Sequence, residues 1–207
     1  MRYTKTLKQL RDAGMCVEGY NRVVRMLQGR RFTKVDVDRH NYIATRNLSD
    51  DQIAFSWILK SNGLDDIFWL LRKFGGFRDL RMFAVWCARR HSKLLDMDTA
   101  LLVCVAEDFA DGKLTPMDLM VAYTAAKSLK LDATEGSPRA HALCLVETAL
   151  NPIRTIDIAD SFRSASDVVW SRSPTDGKTE YEALAAEYDE LVEMITRMLD
   201  GTAPWQK

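Results

Sequence analysis

The 207-residue sequence is poor in the residues that break or cross-link a chain, with 5 Pro, 10 Gly and 4 Cys. So little Pro and Gly excludes a collagen-like or low-complexity fibre. Four widely separated cysteines (Cys16, Cys87, Cys104 and Cys144) match neither a disulfide-dense secreted scaffold nor the paired spacing of a zinc site. They are expected to be reduced core residues. No run of about 18 apolar residues is present, so no bilayer-spanning helix is expected. The opening Met1-Arg2-Tyr3-Thr4-Lys5 leads into a mixed polar stretch and not the apolar segment of a secretory signal, which predicts a cytoplasmic protein. Net charge is lacking too, with 29 Lys+Arg against 29 Asp+Glu. What is abundant is apolar residues, 47% of the chain, enough to fill a core and too many for a disordered protein.

The zero net charge hides a division. Residues 1–93 hold 19 Lys+Arg and 9 Asp+Glu, a net of +10, and residues 94–207 hold 10 and 20, a net of −10. Such a dipole suits a basic patch for an acidic partner, head-to-tail association, or basic helices lying against the chain's own acidic C-terminal helix.

Helical periodicity dominates, and no alternating run of strand length stands out. Leu7, Leu10, Cys16, Tyr20, Val23, Val24 and Leu27 form an apolar stripe broken at Gly14, predicting two short helices or one kinked helix. The pattern dissolves between Arg30 and Leu48, a loop long enough to be functional. Ser49-Asp50-Asp51-Gln52 reads as a capping box that starts a helix near residue 50 and runs to Asn62-Gly63. Further helices are expected over 65–73, 78–95 and 100–110, the last capped by Asp98 and apolar nearly all round, hence the candidate for the central buried helix. Thr115-Pro116-Met117-Asp118 and Ser137-Pro138 are helix starts, with a third after Asn151-Pro152 marked by Thr155 and Asp157. In the last helix, 179–199, the residues Tyr181, Leu184, Tyr188, Leu191, Ile195 and Met198 form a seam of coiled-coil spacing. The seam calls for a partner helix in this chain or in a second copy. Together these segments predict an all-α fold, a compact multi-helix bundle or short α-solenoid of about seven to nine helices. It forms one domain over 1–207: basic helices and loop over 1–48, a helical core over 49–170 and an acidic helix over 179–200.

Catalytic signatures are missing. There is no Walker-type phosphate loop, no dinucleotide fingerprint, no Gly-x-Ser-x-Gly and no His-Glu-x-x-His, which points away from an enzyme and from any bound cofactor. The one metal-like spacing is Asp36-x-Asp38-x-His40 in the long loop, the basis of an alternative reading as a metal-dependent enzyme. Arg22, Arg25, Arg30 and Arg31 followed by Phe32, with Arg78, Arg81, Arg89 and Arg90 on another helix, could meet phosphates and support a nucleic-acid-binding alternative. A pI near 6.8 and the lack of a recognisable nucleic-acid motif weigh against it.

Several segments between residues 60 and 126 carry a family likeness: Asn62-Gly63-Leu64-Asp65-Asp66, Trp69-Leu70-Leu71-Arg72, Arg81-Met82-Phe83-Ala84, Cys87-Ala88-Arg89-Arg90 and Val105-Ala106-Glu107-Asp108-Phe109-Ala110-Asp111-Gly112. They resemble the small helical immunity-protein family found in bacterial and phage genomes, over about a third of the chain. The resemblance implies a helical, non-catalytic protein that neutralises a toxin or serves as an accessory factor, and it carries over no catalytic residues. The expected function is a non-enzymatic interaction module, phage-borne or bacterial, that binds and inhibits a bacterial protein in an immunity or anti-defence role. Expected contacts are Arg30, Arg31, Phe32, Asp36, Asp38 and His40 in the loop, with Arg89 and Arg90 as a second patch. No membrane contact is expected, and homodimerisation through the 181–198 seam is the alternative use of that helix.

Overall fold

The structure, a computed structural model, describes residues 3–28, 37–44, 51–152, 158–170 and 179–206. Among them are ten α-helices and a single two-stranded ribbon, so the fold is all-α, with one helix more than the upper end of the expected count. No helix among the described residues is long and apolar enough to cross a membrane. The described chain falls into two compact units, one of residues 1–73 with 196–207 and the other of residues 74–195.

In the first unit, β1 (Thr4–Lys5) pairs antiparallel with β2 (Ile53–Ala54). Two residues per strand are too few to show as an alternating pattern. Between them lie α1 (Leu7–Asp12), closed by a reciprocal Thr6/Gln9 capping box, and α2 (Val17–Gln28). Next come α3 (Phe55–Asn62) and α4 (Leu64–Phe74). The helix expected to begin near residue 50 begins instead at Phe55, because Ile53 and Ala54 are held in the ribbon. Ser49 of the supposed capping box lies outside the described residues. Gly63 ends α3 with φ of 88°, a conformation that favours glycine. The core of this unit includes Leu7, Leu10, Val23, Val24, Phe55, Ile58, Ile67 and Leu70, all buried.

The second unit contains α5 (Phe77–Arg90), α6 (Met97–Ala110), α7 (Pro116–Leu131), α8 (Pro138–Leu150), α9 (Ile158–Trp170) and most of α10 (Glu180–Asp200). The expected Pro starts are present: Thr115 and Asp118 form a capping box on α7, and the Ser137 hydroxyl accepts from the Ala140 amide on α8. Thr155 and Asp157, the third expected start, lie outside the described residues.

The central helix is α8, not α6. It packs against α5, α6, α7 and α9, and its Ala142, Leu143, Leu145, Val146, Ala149 and Leu150 are fully buried. Its alanines leave room for neighbouring helices to approach, and α5 buries most of its length beside it. In α6 only Thr99, Val103 and Ala106 are buried, and its N-cap is Asp96, which accepts from the Thr99 amide at 2.9 Å, in place of Asp98. Apolar composition on every side of α6 therefore marks an exposed apolar face as well as a buried one.

Candidate functional site

Of the residues singled out by sequence, Arg30, Arg31, Phe32 and Asp36 lie outside the described residues. Asp38 and His40 sit in a tight turn closed by a bridge between Val37 and Ile43, with Asn41 at φ 66°. This turn is anchored to the first two helices. Arg11 pairs with Asp38 and lies 4.5 Å from the centroid of the Tyr42 ring, the Tyr42 hydroxyl donates to the Met15 carbonyl at 2.9 Å, and Asn21 bonds both Asn41 and Ile43. Partial desolvation raises the Asp38 pKa, but the His40 amide, the Arg11 guanidinium and the Tyr42 amide outweigh it and hold the carboxyl below its ordinary value. His40 Nε2 accepts from Arg39 Nε at 3.0 Å. Asp38 and His40 are thus occupied by local partners. Among the described residues no three His, Cys, Asp or Glu side chains are grouped to hold a metal ion.

The second patch, Arg89 and Arg90, ends α5. Arg89 pairs with Glu107 of α6. Arg90 reaches Glu187 of α10 at 2.7 Å, also pairs with Glu190, and lies 4.9 Å from the Trp86 ring centroid. Both arginines of the last turn of α5 are therefore paired with carboxylates of the acidic half. In the α10 seam, Leu191, Ile195 and Met198 are buried within the chain, while Tyr181 and Tyr188 are exposed.

Two features escaped the sequence reading. One is a polar cluster around two adjoining cavities of about 440 and 260 Å³ that share Lys130, Cys144 and Glu147. Glu147 accepts from Lys130 Nζ at 2.8 Å and from the Tyr123 hydroxyl at 3.5 Å, and that bond to Glu147 holds the lysine above its ordinary pKa. His141 Nδ1 stands 3.8 Å from an oxygen of Asp167. The spacing of His141, Cys144 and Glu147 along α8, three residues apart, was the available signal.

The other feature is an exposed apolar face on α6 and α7. Met97 is 80% exposed, Leu101 59%, Met117 71%, Val121 64% and Leu131 85%, with Met120 nearly half exposed. Along α7 the exposed residues Met117, Val121, Thr124, Ser128 and Leu131 follow a 4-3-4-3 spacing and so share one helix face, apolar at both ends and polar at Thr124 and Ser128. Next to these apolar residues in sequence, Asp98, Asp118 and Asp132 are exposed, with Lys127 as a counter-charge.

Compared with protein-family models, with curated proteins and with solved structures, the chain has no match. The immunity-family likeness rests on the quoted sequence segments alone.

Proposed function

We propose that the protein is a non-catalytic binding module whose α6–α7 face receives an amphipathic helix with basic flanks from a partner protein. The observation that carries this reading is the exposure of Met97 and Leu101 on α6 and of Met117, Met120, Val121 and Leu131 on α7, two helices that pack side by side. Exposed apolar side chains gathered on one face mark interaction sites, whereas singly scattered ones need no explanation. Three of the six residues are methionines, whose flexible, polarisable side chains adapt to a partner's surface. Asp98, Asp118 and Asp132 beside these residues favour a basic rim on the incoming helix, as in helix-in-groove recognition. The biological setting is the one that the resemblance over residues 60–126 implies: inhibition of a bacterial protein by a bacterial or phage-borne accessory protein in an immunity or anti-defence role.

A labelled Leu/Lys amphipathic peptide, with its Leu/Glu counterpart as control, tests the reading. Saturable one-to-one binding of the basic peptide is expected, lost in a Leu101→Asp/Val121→Asp variant whose helicity and melting temperature match the wild type. Equal binding of both peptides, or undiminished binding by the variant, overturns it. Light scattering on the free protein separates a second copy as the occupant: a dimer dissociated by the same substitutions would assign the face to self-association. A lysate pull-down with and without nuclease, at two salt concentrations, then distinguishes a protein partner from nucleic acid.

A further inference from the structure

A separate cavity of about 410 Å³ opens in the second unit where the first turn of α5, the end of α6 and the start of α7 meet. Phe77, Phe109, Pro116 and Leu119 give it apolar walls. One buried cation also lines it. Arg81, on the second turn of α5, is 6% exposed. Its guanidinium donates to the Ala149 carbonyl and, at 3.0 Å, to the Asn151 carbonyl, and it lies 4.9 Å from the centroid of the Phe109 ring.

These partners account for only part of what Arg81 offers. A guanidinium has five N–H donors, and the two carbonyls accept from two of them. Both carbonyls stand at the C-terminal end of α8, which supplies a partial negative charge and not a full one. No carboxylate among the described residues pairs with Arg81. Asp111 and Asp79, the nearby acids, face Arg78 instead, at 2.7 and 3.7 Å. Burial pulls the Arg81 pKa down to about 10, the mark of a desolvated cation without an opposing charge. Burying a charge without a full partner is costly.

We propose that this cavity binds a small organic monocarboxylate with an aromatic or branched apolar body, the carboxylate on the remaining Arg81 N–H groups and the body against Phe77, Phe109 and Leu119. A planar guanidinium fork matches a carboxylate in bidentate fashion. One cation in an apolar cavity neutralises one negative charge. A phosphate dianion would bury a surplus charge, because Arg78 is already committed to Asp111. The volume lies within the range of ligand pockets, about 300–1,000 Å³. This inference is independent of the α6–α7 face and stands or falls without it.

Phenylacetate and 4-methylpentanoate are the probes, with 2-phenylethanol and inorganic phosphate as controls, each titrated into the full chain by calorimetry. At least one carboxylate is expected to saturate with a Kd of about 1 mM or tighter, a reasonable affinity for so small a ligand. Both controls are expected to bind at least tenfold more weakly. Arg81→Met is expected to abolish binding, and Arg81→Lys, which keeps the charge and loses the fork, to weaken it about tenfold. If these variants do not fold, the wild-type chain still decides: phenylacetate must shift the Arg81 Nε–H resonance, assigned by triple-resonance NMR, and 2-phenylethanol must not. Failure of both carboxylates to saturate below about 20 mM, equal affinity for 2-phenylethanol, tighter binding of phosphate, or an unmoved Arg81 resonance would each overturn the proposal.

Discussion

Single residues show what kind of information a sequence carries. Caps were legible at Thr115, Asp118 and Ser137 because a cap is a contact over three residues, and the Pro that follows it has a fixed backbone angle. The cap of α6 is Asp96, two residues before the expected Asp98, because both aspartates precede the apolar run and only the chain's path distinguishes them. Asp96 accepts from the Thr99 hydroxyl and amide and pairs with Arg139, and these bonds, the hydroxyl first, hold its carboxyl well below its ordinary 3.8. A depressed native pKa stabilises the fold above the unfolded value, and that contribution is lost as pH falls toward the native value. Asp96→Ala is therefore expected to cost about 1 kcal/mol at pH 7 through the lost cap. Melting curves of the two proteins should converge progressively below pH 4; a gap that stays constant to pH 2 would show that the cap's charge contributes nothing. The cysteines depart from the expectation of core residues. All four are free, but of the four only Cys87 is buried, where burial pushes its thiol far up, while Cys16 and Cys104 are exposed. An isolated cysteine on a helix does not announce which side it faces.

At the scale of elements, existence and type were readable and rank in the core was not. Helical periodicity located most of α1 to α10, since the 3.6-residue repeat is a local property. Centrality depends on which helices surround a given one. The run from Leu101 to Ala106 is richer in large apolar residues than α8, yet α8 is enclosed on four sides and α6 keeps Met97 and Leu101 in the open. The surplus of apolar residues on α6 and α7 was visible in the sequence; its use as surface was not. Two substitutions measure the difference. Phe83→Ala in α5 removes a fully buried ring and is expected to cost about 3–5 kcal/mol. Leu101→Ala in α6 is expected to stay within about 0.5 kcal/mol. Urea unfolding with unchanged m-values checks both, and a cost for Leu101→Ala comparable to that for Phe83→Ala would return α6 to the core.

For the molecule as a whole, the decisive sequence property was the separation of charge, and its meaning was open until pairs could be assigned. A net of +10 over residues 1–93 could serve a polyanion or the chain's own acidic half. Three arginines of that basic half are taken by carboxylates of the other: Arg78 by Asp111, Arg89 by Glu107, and Arg90 by Glu187 and Glu190. Glu187 is itself buried, so for Arg90 to leave it for a phosphate would strand a desolvated carboxylate. The cost of releasing that guanidinium opposes binding to nucleic acid at this surface. A labelled 30-base-pair duplex in 150 mM NaCl is accordingly expected to bind no more tightly than non-specific contacts allow, with Kd no lower than about 1 μM. The double variant Arg89→Ala/Arg90→Ala should lower the melting temperature and leave duplex affinity unchanged. The opposite pattern, tight binding whose salt dependence drops by about two phosphate contacts in the double variant at unchanged stability, would mean that these arginines exchange their internal partners for phosphates. It would also make the dipole of the sequence a binding device instead of an internal bond between its halves.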